Sequence, residues 1–341
     1  MYSISLVKTW LAIVVLAVVV SCSPAQPVQQ QMQLNGNTMG TYYVVKYYSD
    51  TVVDQSTLQQ AIDQELELIN DLMSTYRPES ELMRFNRHSA TTPFALSEQT
   101  RLVMAEALRL AQQTEGVLDV TVGPLTELWG FGARGRIERA PSDTDIANTR
   151  AVVGYDKLTL AANQLSKSVA ALAVDLSTIA KGYGVDQVAG ILEQHGIVNY
   201  LVEIGGEMRI KGEKATAKPW KIAIEKPVTT ERAVQRVLQT GDMGVATSGD
   251  YRNYFEQDGV RYSHLLDPRT GKPIQHRTVS VTVLHPSCMT ADGYATALNV
   301  MTADEALSFA NRYNIAALIV VKTDDGFTEL ASDAFKPFLA E

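Results

Sequence analysis

Cysteine is nearly absent: the 341 residues hold only Cys22 and Cys288, so a disulfide framework cannot be the main support of the fold. Residues 1–49 contain no Asp or Glu. Over the whole chain, however, acidic residues outnumber basic ones by 38 to 30, for a net charge of -8. That balance disfavours a nucleic-acid partner held by phosphate contacts and leaves room only for a local basic patch. No apolar run reaches the roughly 20 residues that a membrane-spanning helix needs; Trp10–Val20 has eleven. A Walker A phosphate loop is also missing. Gly182-Tyr183-Gly184 lacks the third glycine of a dinucleotide fingerprint and falls inside an expected helix rather than before it. What is present, with 45% hydrophobic residues, 22 Gly and 12 Pro, is an ordinary globular composition long enough to bury a sizeable core.

The N-terminus reads as an address. Lys8 and the Trp10–Val20 run suit the basic and apolar regions of a signal peptide. The run ends in Val19-Val20-Ser21-Cys22, which resembles a bacterial lipoprotein signal, in which the cysteine is lipidated and becomes the first mature residue. Ser23 to Gln31 is polar with two prolines and reads as a flexible tether. An ordinary cleaved signal with an incidental cysteine is the alternative. The expected division is a signal at 1–21, a tether at 22–34 behind lipidated Cys22, and one body at 35–341. That body is expected in the bacterial periplasm, held to a membrane by the lipid, with Cys288 a buried free thiol.

Within the body, Asn37 to Tyr48 is rich in Thr, Tyr and Val and predicts a strand. Leu58, Ile62, Leu66, Ile69 and Met73 recur at helical spacing, predicting a helix over about 55–74. A second helix is expected from a cap at Ser97 to about Thr114, stopped by Gly116, and a third from about Ile179 to Gln194. Gly123 to Gly135 reads as irregular. Strands are expected at Tyr200–Ile204, Trp220–Glu225, Gly244–Thr247, Arg261–Leu266, Thr278–Leu284 and near Ile315–Val321. Thr302-Ala303-Asp304-Glu305 is a capping box opening a helix to about Tyr313. Strands adjacent in sequence with few helices between them favour an α+β class with antiparallel sheets, in one body or two lobes.

Three polar, glycine-rich segments are poorly explained by stability alone. In Asp175 to Asp186, a carboxylate, Ser177, Thr178 and Lys181 stand where a helix begins, and free N–H groups with a lysine there suit a phosphate. A plain Asp/Ser cap with a surface lysine is the competing reading. In Cys288 to Ala297, if the segment is helical, Asp292 and Thr296 share a face and offer hard oxygens of the kind Mg²⁺ accepts. A cap plus a buried Thr would look the same. In Ala246–Phe255 and Tyr262–Gly271, the turn signature Asp267-Pro268-Arg269-Thr270-Gly271 sets His264 near a strand end facing a cleft, where it is suited to move a proton near neutral pH.

The wording of these and other segments resembles the ApbE family of FAD:protein FMN transferases. The resemblance runs through Met39-Gly40-Thr41, Met73–Tyr76, Ser80–Asn86, Leu118–Leu125, Leu128–Gly132, Asp175–Asp186, Glu203–Met208, Ala246–Phe255, Ser263–Gly271 and Ala291–Ala297, in order. It implies a T-fold-like α+β enzyme that binds FAD and Mg²⁺. Such an enzyme splits the FAD diphosphate, places FMN on a Thr or Ser of another protein through a phosphoester, and releases AMP. The implied acceptors are subunits of membrane redox complexes, of the sodium-translocating NADH:quinone reductase or Rnf type. Carried over by motif, Met39, Tyr76, Val117, Leu118, Asp119, Asp175, Lys181 and Leu266 would form the FAD site. Thr178, Ala180, Asp292 and Thr296 would hold Mg²⁺, and His264 would be the base. A Mg²⁺-dependent FAD pyrophosphatase and a non-catalytic flavin-binding lipoprotein are the other readings that the residues allow.

Overall fold

Tyr43, Val45 and Tyr47 alternate inward, all essentially buried, which is what the period of a half-buried strand requires. The computed structural model describes residues 30–339 except 136, 138, 216, 228–233, 250–253 and 258. Cys22, the expected signal peptide and most of the expected tether lie outside the described residues. The strand expected from Asn37 to Tyr48 is instead a hairpin of β1 (Met32–Thr38) and β2 (Thr41–Tyr48), paired from Met32↔Tyr47 to Thr38↔Thr41. Met39 and Gly40 form its two-residue turn, with φ of +49° and +72°. Two left-handed residues are what such a turn demands, but a methionine in the first position gives little warning of it. Because β1 starts at Met32, the body also takes in the last residues of the segment expected to be tether.

Six further strands complete one sheet: β3 (Asn199–Ile204), β4 (Glu207–Lys211), β5 (Gly244–Gly249), β6 (Thr278–His285), β7 (Ala316–Thr323) and β8 (Gly326–Ala331). Their spatial order is their chain order, and every neighbouring pair is antiparallel. The α+β expectation therefore holds, in the form of an eight-stranded meander with helices inserted between its strands.

Among the described residues eight helices fill the insertions: α1 (Gln55–Met73), α2 (Glu81–Arg87), α3 (Glu98–Gln113), α4 (Gly123–Leu128), α5 (Asp143–Arg150), α6 (Ala180–Gln194), α7 (Cys288–Val300) and α8 (Ala303–Arg312). The periodic set on α1 is buried as its spacing requires. Ser97 caps α3 by accepting the Thr100 N–H, and Thr302 and Glu305 close the capping box of α8. One core lies on the helical face of the sheet, where Val281, Val283 and Ile319 meet Ala291, Ala295 and Leu298 of α7. The opposite face is covered by the ribbon Ile222–Glu225 and Val234–Leu238, with Trp220 and Phe335.

Two further expectations differ from what is observed. The stretch expected to be irregular contains α4, whose first turn accepts Pro124 because no N–H is needed there. The single strand expected over Arg261–Leu266 breaks into Val260–Ser263 and Leu266–Asp267. His264 and Leu265 stand in the bend between them.

Candidate functional site

Helices α6 and α7 meet at their N-terminal ends, and glycine makes the approach possible. A Cβ on Gly182 would stand 2.4 Å from the Cys288 carbonyl oxygen and 2.8 Å from Cβ of Asp292. The Gly182 N–H, one of the free donors of the first turn of α6, is 3.0 Å from Oδ2 of Asp292 and donates to it. One turn further along α6, Asp186 performs the same service for α7. Its carboxylate accepts from the N–H groups of Cys288 and Met289 at 3.0 Å each, from the Ser287 hydroxyl at 2.8 Å and from Arg209 Nη1 at 2.8 Å. The two segments singled out in the sequence thus lock together, end to end.

Lys181, in the first turn of α6, places Nζ 2.6 Å from Oε1 of Glu207. Burial works against its ammonium, but the carboxylates of Glu207 and Asp292 outweigh it and hold the lysine above its ordinary value. Burial lifts the Asp292 carboxyl well above the usual carboxylate range; Lys181 opposes the lift and Glu207 adds to it. Three charged groups therefore share one poorly solvated corner.

That corner opens into a cavity of about 780 Å³, within the range of about 300–1,000 Å³ of ligand pockets. Asp175, Thr178, Lys181, Asp292 and Thr296 line it, as do His264 and Leu266 from across the fold and Val117, Leu118 and Asp119 from the turn after α3. Tyr76 stands at its mouth, 71% exposed. Met39 is not among the lining residues; it packs between two cores, its Cε beneath Gly184. Ala180, which opens α6, does not line the cavity either.

Several of these residues also serve the local chain. Asp119 accepts from the Thr121 N–H and hydroxyl and from the Tyr155 N–H, so its carboxylate braces the turn that forms the wall. Asp175 accepts the Ser177 N–H, and burial raises its carboxyl.

The residues suit a hard divalent cation. Oγ1 of Thr178 is buried with no hydrogen-bond partner, an expensive state that a ligand would relieve. Asp292 and Thr296 lie one turn apart on α7 and face the same cavity. Among the described residues no three His, Cys, Asp or Glu side chains converge as a metal cluster. The donor set is therefore one of carboxylate and hydroxyl oxygens, which fits Mg²⁺ better than a softer metal.

His264 is backed by an aromatic wall. Its ring lies 6.3 Å from that of Phe131, which sits 5.6 Å from Phe255, itself stacked on Tyr262 at 4.9 Å. Trp129 is 5.5 Å from Tyr262 and donates Nε1–H to the Gly271 carbonyl at 2.8 Å. The glycine-rich stretch and the turn after His264 are thus one unit, although Asp250–Asn253 of that region lie outside the described residues.

Two residues that line the site, Asn86 and Glu207, and one behind its wall, Lys167, were not singled out as functional in the sequence. Asn86 donates to the Val174 carbonyl at 2.8 Å and accepts its N–H at 2.7 Å, pinning the wall that leads to Asp175. Buried Lys167 donates to the carbonyls of Asn86 and Leu172 at 3.0 and 2.9 Å. Glu207 is the third. The signal for it was faint: a charged residue opening a strand directly after Gly205-Gly206.

The family model described as ApbE family matches residues 39–319. The chain is 54% identical over 335 residues to the FAD:protein FMN transferase of Vibrio cholerae serotype O1, covering 98% of this chain and 100% of that one. It is 49% identical over 333 residues to the protein of the same description from Haemophilus influenzae, covering 95% and 96%. Among solved structures, the flavin transferase ApbE from Vibrio cholerae superposes with a TM-score of 0.85 at 55% identity, covering 91% of this chain and 99% of that one. The apo form of Pseudomonas stutzeri flavinyl transferase ApbE gives 0.85 at 40% identity, covering 92% and 98%.

Proposed function

This chain belongs to the ApbE family, and on that premise we propose that it is an FAD:protein FMN transferase that uses Mg²⁺, joins FMN to a threonine or serine of an acceptor protein and releases AMP. The observation that carries the reading is the Gly182 N–H to Asp292 contact at 3.0 Å, beside Lys181 and on a cavity shared with His264. It supports the reading because a helix end suited to phosphate, a carboxylate suited to a cation and a histidine suited to take a proton border one cavity.

The mechanism follows from those residues. Asp292 and Thr296, with Thr178, would hold Mg²⁺, which when bound neutralises diphosphate charge as a Lewis acid. Lys181 adds a fixed positive charge beside the diphosphate, where the developing charge of the departing AMP needs it. His264 takes the proton of the acceptor hydroxyl as its oxygen forms a bond to the FMN-side phosphorus. The bond from that phosphorus to the AMP oxygen breaks, and AMP leaves with the electron pair. Tyr76 and the apolar wall around Leu118 and Leu266 offer surface on which the flavin ring can pack.

The same reading places lipid on Cys22 and the enzyme in the periplasm, where acceptor subunits of Rnf-type or sodium-translocating NADH:quinone reductase complexes would be met. Labelling with a tagged palmitate, lost in Cys22→Ala, tests the anchor. For the chemistry, the protein is incubated with FAD, Mg²⁺ and a candidate acceptor. Mass spectrometry should find the acceptor carrying FMN on a hydroxyl residue. Free FMN and AMP with an unmodified acceptor would instead make the protein a pyrophosphatase.

A further inference from the structure

Among the described residues, Glu207 is the cavity-lining carboxylate with a fully buried oxygen that has no hydrogen-bond partner. It follows the Gly205-Gly206 turn and opens β4, and its side chain is only 5% exposed. Oε1 is 2.6 Å from the Lys181 ammonium, while Oε2 is buried with no hydrogen-bond partner. Glu207 nevertheless lines the cavity. A buried carboxylate oxygen without a donor is costly, and an ionised carboxylate can only accept. Whatever satisfies Oε2 must bring a proton.

Phosphate oxygens cannot supply one and would be repelled. A cation is not required by charge, because Lys181 already neutralises this carboxylate at contact distance. The neutral donors that FAD carries beside its diphosphate are sugar hydroxyls, those of the ribityl chain and of the adenosine ribose. We propose that Glu207 is a substrate-binding residue: Oε2 accepts a hydrogen bond from a sugar hydroxyl of FAD adjoining the diphosphate, while Oε1 pins Lys181 against the diphosphate itself. One side chain thereby reads the sugar and places the charge next to it. The proposal rests on the FAD reading above and extends it to a residue of this chain.

The test is equilibrium binding in EDTA, so that no metal or turnover contributes. FAD is followed by its fluorescence, and riboflavin and adenosine serve as uncharged competitors carrying one sugar each. Glu207→Ala should weaken FAD by about tenfold or more, the scale of a lost hydrogen bond to a charged group. It should also weaken one of the two neutral probes. Glu207→Gln, which keeps the shape and an acceptor oxygen, should lie between. Lys181→Met should weaken FAD and leave both neutral probes alone. Unchanged affinity for riboflavin and adenosine in both Glu207 variants would overturn the sugar contact. So would intact FAD binding in EDTA combined with lost Mg²⁺ affinity, which would make Oε2 a cation ligand. Failure of the wild-type protein to bind FAD at all would instead sink the transferase reading.

Discussion

Asp186 and Asp292 each sit on one helix and accept N–H groups from the first turn of the other: Asp186 of α6 takes those of Cys288 and Met289, and Asp292 of α7 takes that of Gly182. Each carboxylate lies at the positive end of the partner's macrodipole, where negative charge is favoured. The exchange fixes the depth and rotation at which the helices meet, and so the position of the α7 face that carries Asp292 and Thr296 relative to Lys181.

Gly182→Ala attacks the contact directly. The added methyl would meet backbone at 2.4 Å from the Cys288 carbonyl, and backbone cannot swing aside as a flexible side chain can. A loss of about 1–3 kcal/mol is expected from overpacking, read by urea unfolding, together with weaker Mg²⁺ binding.

Asp186→Ala strands two helix N–H groups, Ser287 and Arg209 at once. The cost should be on the order of 2–3 kcal/mol, below that of a fully buried pair because Arg209 keeps some contact with solvent. Magnesium affinity should fall with it although Asp186 is not placed as a ligand. Retention of full affinity in a folded variant would show that the exchange does not set the site.

Asp292→Ala should abolish Mg²⁺-dependent transfer while the circular dichroism spectrum stays that of the native fold, since the core of α7 rests on Ala291, Ala295 and Leu298. FAD binding in EDTA should persist, because Lys181 remains.

The pH dependence of metal binding has a definite sign. In the metal-free protein burial holds the Asp292 carboxyl above its ordinary range, so in mildly acidic solution protons compete with the cation for it. Apparent Mg²⁺ affinity should therefore rise with pH through the near-neutral range and then level off. Titrations in Asp292→Asn should lose this slope; an equally steep slope there would assign the proton to another group.

His264→Asn should keep FAD binding and lose transfer by about 10²–10⁴-fold, the usual worth of a general base. Wild-type transfer by this variant would remove His264 from the role.

Much of this was legible in one dimension. The helical period of α1, the Ser97 cap and the Thr302 capping box depend on neighbours within a few residues, and each formed where its pattern lies. Asp292 and Thr296 share a face because one turn separates them. The β1–β2 turn was missed because nothing local marks Met39 for a left-handed conformation. Helix α4 was hidden among glycines that suggest a loop, and Glu207 entered only within the Glu203–Met208 stretch of the resemblance, with no role of its own.

The sequence by itself determined helices α1, α3, α6 and α8 with the caps of α3 and α8, the α+β class and the residue types able to handle a diphosphate, because short-range sterics and hydrogen bonds govern those. Only the tertiary structure decided that Gly182 touches Cys288, that Asp186 and Asp292 trade helix ends, and that Glu207 faces Lys181 with an oxygen to spare. Such contacts join residues up to 110 positions apart, and packing against the sheet, not local preference, brings them within reach.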